Sequence, residues 1–184
     1  MINYTRDLSF SDSKDKARQA VLEFLPSNTK NLISLPAESF MFEAQVKIKS
    51  PNIKIYGYEI RRPVITRNKR ERFFIARTML DDYVYGDVLK ADLSTIDFAW
   101  LDLCSTPSLE VQSRFITQAR NAKPGSRIVI TLTRRIRNML QENKPIATVE
   151  KFINLIHHLT NGKVVRQYDY TNGRSPMTML FIQF

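Results

Sequence analysis

Cysteine is almost missing from this chain: Cys104 is the only one in 184 residues. That excludes an internal disulfide and any cysteine-rich zinc site, and it suits a reducing compartment. Glycine is scarce too, with five residues, the first of them Gly57. A ligand-cradling loop ahead of Gly57 must therefore work without the residue that lets backbone amides close on a ligand. No run reaches the roughly 18 apolar residues of a membrane span, and Met1 to Asp15 lacks the sustained apolar stretch of a signal peptide. Acids are the minority charge, 18 against 28 Lys and Arg, for a formal +10 and a pI near 9.9. This excess points first to nucleic acid as partner and second to an anionic membrane surface, beside the plain reading of solubility. What is present is 43% hydrophobic, enough for one substantial core. The chain reads as a soluble cytoplasmic protein with an arm over residues 1–12 and a single domain over 13–184.

Three short apolar runs close on acids: Ile53 to Tyr58 on Glu59, Tyr83 to Gly86 on Asp87, and Asp97 to Leu101 on Asp102. Carboxyl ends of parallel strands are where open α/β sheets bind ligands, and acids there accept hydrogen bonds from ribose hydroxyls or amines. Around these runs the spacing predicts helices from Ser13 as cap to Phe24, Phe40 to Lys47 with Ser39 as cap, Pro63 to Leu80, Ser108 to Arg120, and Thr148 to Thr160. Further strands are expected at Asn31 to Leu35, Arg127 to Leu132, Val164 to Tyr170 and Met177 to Phe184, the last two joined through Asn172-Gly173. Five rounds of strand and helix imply a parallel sheet covered on both faces, and the final pair must add an antiparallel strand.

This order, together with the Pro-Gly turn and strand Lys123 to Leu132, resembles the class I S-adenosylmethionine-dependent methyltransferases over roughly Asn31 to Phe184. The resemblance implies an α/β Rossmann-like three-layer sandwich, with a mostly parallel seven-stranded sheet and a C-terminal antiparallel hairpin. It also implies S-adenosylmethionine as cofactor. Glu59 then stands where the family's acid holds the ribose hydroxyls, Asp87 where an acid meets the adenine amine, and Asp102 beside the transferable methyl group. Leu35, Pro36 and Ala37 fall in the family's first cofactor loop, usually glycine-rich but here without glycine. Glu38 or Glu43 is a candidate for the methionine amine, against the plainer role of a solvated acid at a helix start. The glycine-poor loop is similar to that of small methyltransferase-like proteins of mobile elements and viruses.

Asp102-Leu103-Cys104-Ser105 lacks the two prolines and aromatic that accompany base N-methylation in this family. Cys104 is either a strand-end nucleophile or a small buried hydrophobe. Ribose 2′-O methylation needs a lysine to ease loss of the hydroxyl proton and acids to position it. Asp102 suits one of those acids, making it the candidate catalytic residue, but no lysine is assignable from the sequence. His157 and His158 read as structural. Six of the twelve residues from Arg61 to Arg72 are basic: Arg61, Arg62, Arg67, Lys69, Arg70 and Arg72. Arg134, Arg135 and Arg137 follow the strand after the Pro-Gly turn. Both groups leave a parallel sheet at its carboxyl edge, so they are the candidate nucleic-acid contacts, with arginine favoured for bidentate phosphate binding. A methyltransferase acting on nucleic acid and a catalytically silent relative binding nucleic acid or protein both remain open.

Overall fold

The computed structural model describes residues 12–36, 40–71, 73–134, 148–173 and 175–184. Ala37, Arg72, Arg135 and Arg137 lie outside the described residues, as do Glu38, Ser39 and all but the last residue of the expected arm. In chain order the elements are α1 (Asp12–Phe24), β1 (Asn31–Ser34), α2 (Met41–Lys49), β2 (Lys54–Glu59), α3 (Arg62–Glu71), α4 (Phe73–Met79), β3 (Asp82–Tyr85), β4 (Phe98–Ser105), α5 (Leu109–Ala119), β5 (Arg127–Thr133), α6 (Val149–Leu159), β6 (Lys163–Asn172) and β7 (Ser175–Gln183). A single 3-10 turn, Val88–Lys90, follows β3.

The sheet has seven strands in the order β3-β2-β1-β4-β5-β7-β6. Pairings from β3 through β5 are parallel, and β7 runs antiparallel to both β5 and β6. This is the expected Rossmann-like α/β architecture. Its central strands read as apolar runs because helices cover both faces: Leu32, Phe98, Trp100 and Val129 point into one core, and Ile33, Ala99, Leu101 and Ile130 into the other. The first core packs against α1, α2, α3 and α4 through Ala17, Val21, Phe42, Ile65 and Ala76. The second packs against α5 and α6 through Phe115, Ile116, Phe152 and Ile156.

The expected boundaries need two corrections, at the first helix and at the fourth strand. The first helix opens at Asp12, inside the expected arm, and Ser13 donates its hydroxyl to the Thr171 carbonyl at 2.6 Å. The span from Pro63 to Leu80, expected as one helix, is helical over Arg62–Glu71 and Phe73–Met79, on either side of Arg72, which lies outside the described residues. The fourth strand does not stop at Asp102: its register against β5 slips between Asp102 and Ser105, and Cys104 takes a left-handed backbone (φ 50°). This irregularity lies at the strand's carboxyl end, where bulges commonly re-aim side chains.

Order β2-β1-β4-β5 reverses chain direction between β1 and β4. Such a switch point leaves a crevice at the carboxyl ends because the loops after these two strands depart to opposite sides. The site lies there.

Candidate active site

The cleft at the switch point encloses about 500 Å³, within the ordinary range of small-molecule sites. It brings together residues from five separate stretches: Leu35 and Pro36 after β1, Glu59 to Arg61 at the end of β2, Gly86 to Leu89 after β3, Asp102 to Ser105 on the irregular end of β4, and Val111 of α5. All three strand-end acids therefore line one cavity. Gly57 in β2 is needed for the close approach beneath it, because a Cβ there would stand 3.0 Å from Pro36 Cγ and 2.8 Å from Leu80 Cδ1.

Each acid is already engaged by a cation of the chain. Glu59, 8% exposed, accepts from the Arg61 backbone N–H (2.8 Å), from Nε (3.1 Å) and from Nη2 (3.3 Å). Asp87 accepts from the Leu89 N–H at 2.9 Å, capping the 3-10 turn, and from Arg114 Nη1 at 2.7 Å. Asp102 accepts from Lys14 Nζ through Oδ2 and from the Cys104 thiol at 3.2 Å through Oδ1.

These pairs differ in how readily they yield. The side chains of Arg61 and Arg114 are 69% and 44% exposed, so each of their pairs contributes about 0–1 kcal/mol. A hydrogen bond from a bound ligand to a carboxylate is worth roughly 1.5–3 kcal/mol, enough to displace either guanidinium. Lys14 and Asp102 are 10% and 17% exposed, and Lys14 Nζ stands 5.7 Å from the centroid of the Trp100 ring. Removing one partner of so enclosed a pair costs about 3–5 kcal/mol. The third pair is thus fixed in place, with Asp102 on the cleft wall and Lys14 outside the lining residues.

Two of the open alternatives change character. Cys104 is exposed on the cleft wall, but desolvation by the protein around it, followed by the negative charge of Asp102, pushes its thiol up to about 12. A thiol held protonated is a poor nucleophile at neutral pH. Glu43 is not a solvated helix-start acid: it is 2% exposed, and burial raises its pKa despite the neighbouring Ser34 and Arg18. It lies on the core side of α2 and does not line the cleft. His157 accepts from the Val164 N–H at 3.0 Å, a structural bond that ties α6 to β6.

Among the expected nucleic-acid contacts, Arg61 borders the cleft, and Arg62, Arg67, Lys69 and Arg70 are exposed along α3. Arg134 stands after β5 and donates to Asp169 at 2.9 Å. Three strand spacings, roughly 14 Å, separate β2 from β5. Arg134 and the basic run of α3 therefore share the carboxyl edge but not one patch. Lys14 escaped the sequence reading because 88 residues separate it from Asp102 and no local pattern links them. Arg114 did as well, since its visible partner at helical spacing is Glu110.

No protein-family model matches the chain, and no curated protein does. The structure is similar to N-methyltransferase NodS from Bradyrhizobium japonicum WM9 in complex with S-adenosyl-L-homocysteine: 11% identity, 97% of this chain and 93% of that one, TM-score 0.61. It is also similar to geranyl diphosphate methyltransferase in complex with SAM, at 9% identity, 92% and 85% coverage and TM-score 0.64. A third likeness is to the [4+2]-cyclase SpnF, at 13% identity, 92% and 80% coverage and TM-score 0.62. At such identities these likenesses establish architecture, and the chain has the class I S-adenosylmethionine-dependent methyltransferase fold.

Proposed function

We propose that the cleft binds S-adenosylmethionine and that the protein transfers its methyl group to a hydroxyl of nucleic acid. The observation that carries this reading is the enclosed Lys14–Asp102 pair at the end of β4. The lysine that hydroxyl methylation requires is supplied by α1. S-adenosylmethionine, when bound, supplies an electrophilic methyl group on a sulfonium centre.

The chain's own residues then divide the work. Glu59 and Asp87 present carboxylates to the cofactor's hydroxyls and amine in exchange for their exposed arginines. Asp102, on the cleft wall, holds the Lys14 ammonium largely closed to water, and that positive charge favours the oxyanion formed as the acceptor hydroxyl passes its proton to solvent. Leu35, Pro36, Leu103 and Val111 supply the apolar lining. Pro36 stands where a glycine-rich loop would bring backbone amides, so affinity must rest more on the acids and on this lining. The basic run from Arg61 to Arg70 supports nucleic acid as the acceptor.

A second reading, a catalytically silent binding protein, draws on the same observation that every cleft acid already has an internal partner. Titration calorimetry with S-adenosylhomocysteine separates the two. Saturable binding is expected, weakened at least tenfold by Glu59→Ala, and absence of heat at millimolar ligand rejects the cofactor site. With binding in hand, Lys14→Met is expected to abolish transfer to RNA while S-adenosylhomocysteine still binds. Undiminished transfer rejects the role given to Lys14.

A further inference from the structure

Beside the basic face of α3 lies a second hollow, of about 300 Å³, away from the cleft. Lys69, Phe73 and Arg77 line it at four-residue intervals, Ala76 and Leu80 form its apolar floor, and Tyr83 closes it from β3. The Arg77 guanidinium stands 5.7 Å from the Phe73 ring centroid, and Lys69 Nζ 6.0 Å from that of Tyr83. The Tyr83 hydroxyl is held by Asn68 Nδ2 at 3.0 Å, so that ring is fixed in place. Phe73 meets Phe74 edge to face at 5.6 Å between centroids, and Phe74 is 82% exposed.

A large aromatic ring left this open has no account in the packing of the described residues. The buried face of α3 and α4 is made by Ile65 and Ala76, and Phe74 takes no part in it. The same two helices carry Arg62, Arg67, Lys69, Arg70 and Arg77, of which Lys69 and Arg77 share the hollow with Phe73, against one acid between positions 62 and 77, Glu71, which pairs with Arg70 at 2.7 Å. Two acids, Asp81 and Asp82, stand at one end of the hollow; Asp81 is held by Lys47 at 3.0 Å, and Asp82 is exposed.

We infer that α3 and α4 form a platform for single-stranded nucleic acid, with bases stacked on Phe73 and Phe74 and phosphates held by the surrounding cations. The inference rests on the proposed function only for the class of partner. Charge complementarity selects a polyanion, and exposed rings interleaved with cations select one whose bases are free to stack. A duplex keeps its bases paired and gives the rings nothing to meet. An anionic lipid surface asks for an apolar stripe separated from the charges, whereas here the exposed run Phe73, Phe74 and Ile75 is flanked in sequence by Arg70 and Arg77, and Lys69 and Arg77 share the hollow with the Phe73 ring.

The test is fluorescence anisotropy of a labelled twelve-nucleotide uridine oligomer and of a hairpin RNA duplex on the full chain, without cofactor. The oligomer is expected to bind more tightly than the duplex. Phe74→Ala should weaken the oligomer about 5- to 150-fold, the range found for losing one stacked base, and Phe74→Leu should not restore it. Equal affinity for oligomer and duplex, an unchanged Phe74→Ala, or rescue by leucine each overturns the platform. So does Phe74-dependent capture by phosphatidylserine vesicles, or self-association lost on Phe74→Ala, since either gives the ring another occupant. Calorimetry with S-adenosylhomocysteine on Phe74→Ala keeps the two readings apart. Unchanged cofactor binding beside an unchanged oligomer affinity sinks the platform alone, and absent cofactor binding in the parent sinks the cleft alone.

Discussion

Asp97 shows what one carboxylate does for a parallel sheet. Its Oδ2 accepts from the backbone N–H groups of Lys30 and Asn31, at 2.8 and 2.9 Å, and its Oδ1 from Lys123. These bonds tie the start of β4 to the start of β1. Desolvation is the largest single influence and pushes the carboxyl up, but Lys123 and the two N–H groups together hold it below its ordinary value of 3.8. Asp81 is held down in the same way by Ile55 and Lys47, against the same desolvation. A carboxyl depressed on folding contributes stability that is present above its unfolded pKa and is lost as pH falls through the folded one. Stability is therefore expected to fall from about pH 4 downward. Asp97→Asn should cost about 1–3 kcal/mol at neutral pH and flatten that decline, as read by urea unfolding at pH 7 and pH 3. An equal loss at both pH values would refute this account of Asp97.

At the scale of elements, the loop after β1 is held from below by β2. Of the two side chains a Cβ at position 57 would meet, Leu80 presents its methyls at the end of a rotatable chain and can move aside. Pro36 is a ring on the cleft wall and cannot. Gly57→Ala is thus expected to cost about 1–3 kcal/mol of stability and to weaken S-adenosylhomocysteine binding through a displaced Pro36. Thermal unfolding and calorimetry on one preparation check both, and a stable variant with undiminished affinity would exclude the contact as a support of the site. Elements were the most legible level of this molecule. Apolar runs such as Phe98 to Leu101 and Ile128 to Leu132 announce strands buried on both faces. Less visible was the end of β4, because the irregularity at Leu103 and Cys104 comes from pairing with β5 and from no turn residue of its own.

For the whole molecule, a net charge of +10 matters through where it sits. Five cations, Arg62, Arg67, Lys69, Arg70 and Arg77, are exposed on α3 and α4. Binding of single strands is therefore expected to weaken with salt at a slope of about −3.5 on logarithmic axes, at roughly −0.7 per phosphate contact. Replacing Arg67, Lys69 and Arg70 together by Gln should reduce that slope by about 2. Anisotropy at several salt concentrations measures both, and a slope near zero would exclude the basic face as a phosphate contact. No helix among the described residues is long and apolar enough to cross a membrane.

The sequence by itself determined the layered architecture, since periodicity and strand-end chemistry are local properties that survive without knowledge of the fold. It also placed Glu59, Asp87 and Asp102 at strand ends, where a parallel sheet must gather them. Only the tertiary structure decided what those acids face. Lys14 reaches Asp102 across 88 residues, Arg114 reaches Asp87 across 27, and α4 turns Phe74 outward beside the cations. Such meetings depend on how helices pack over the sheet, and a linear pattern carries no record of the partner that packing brings near.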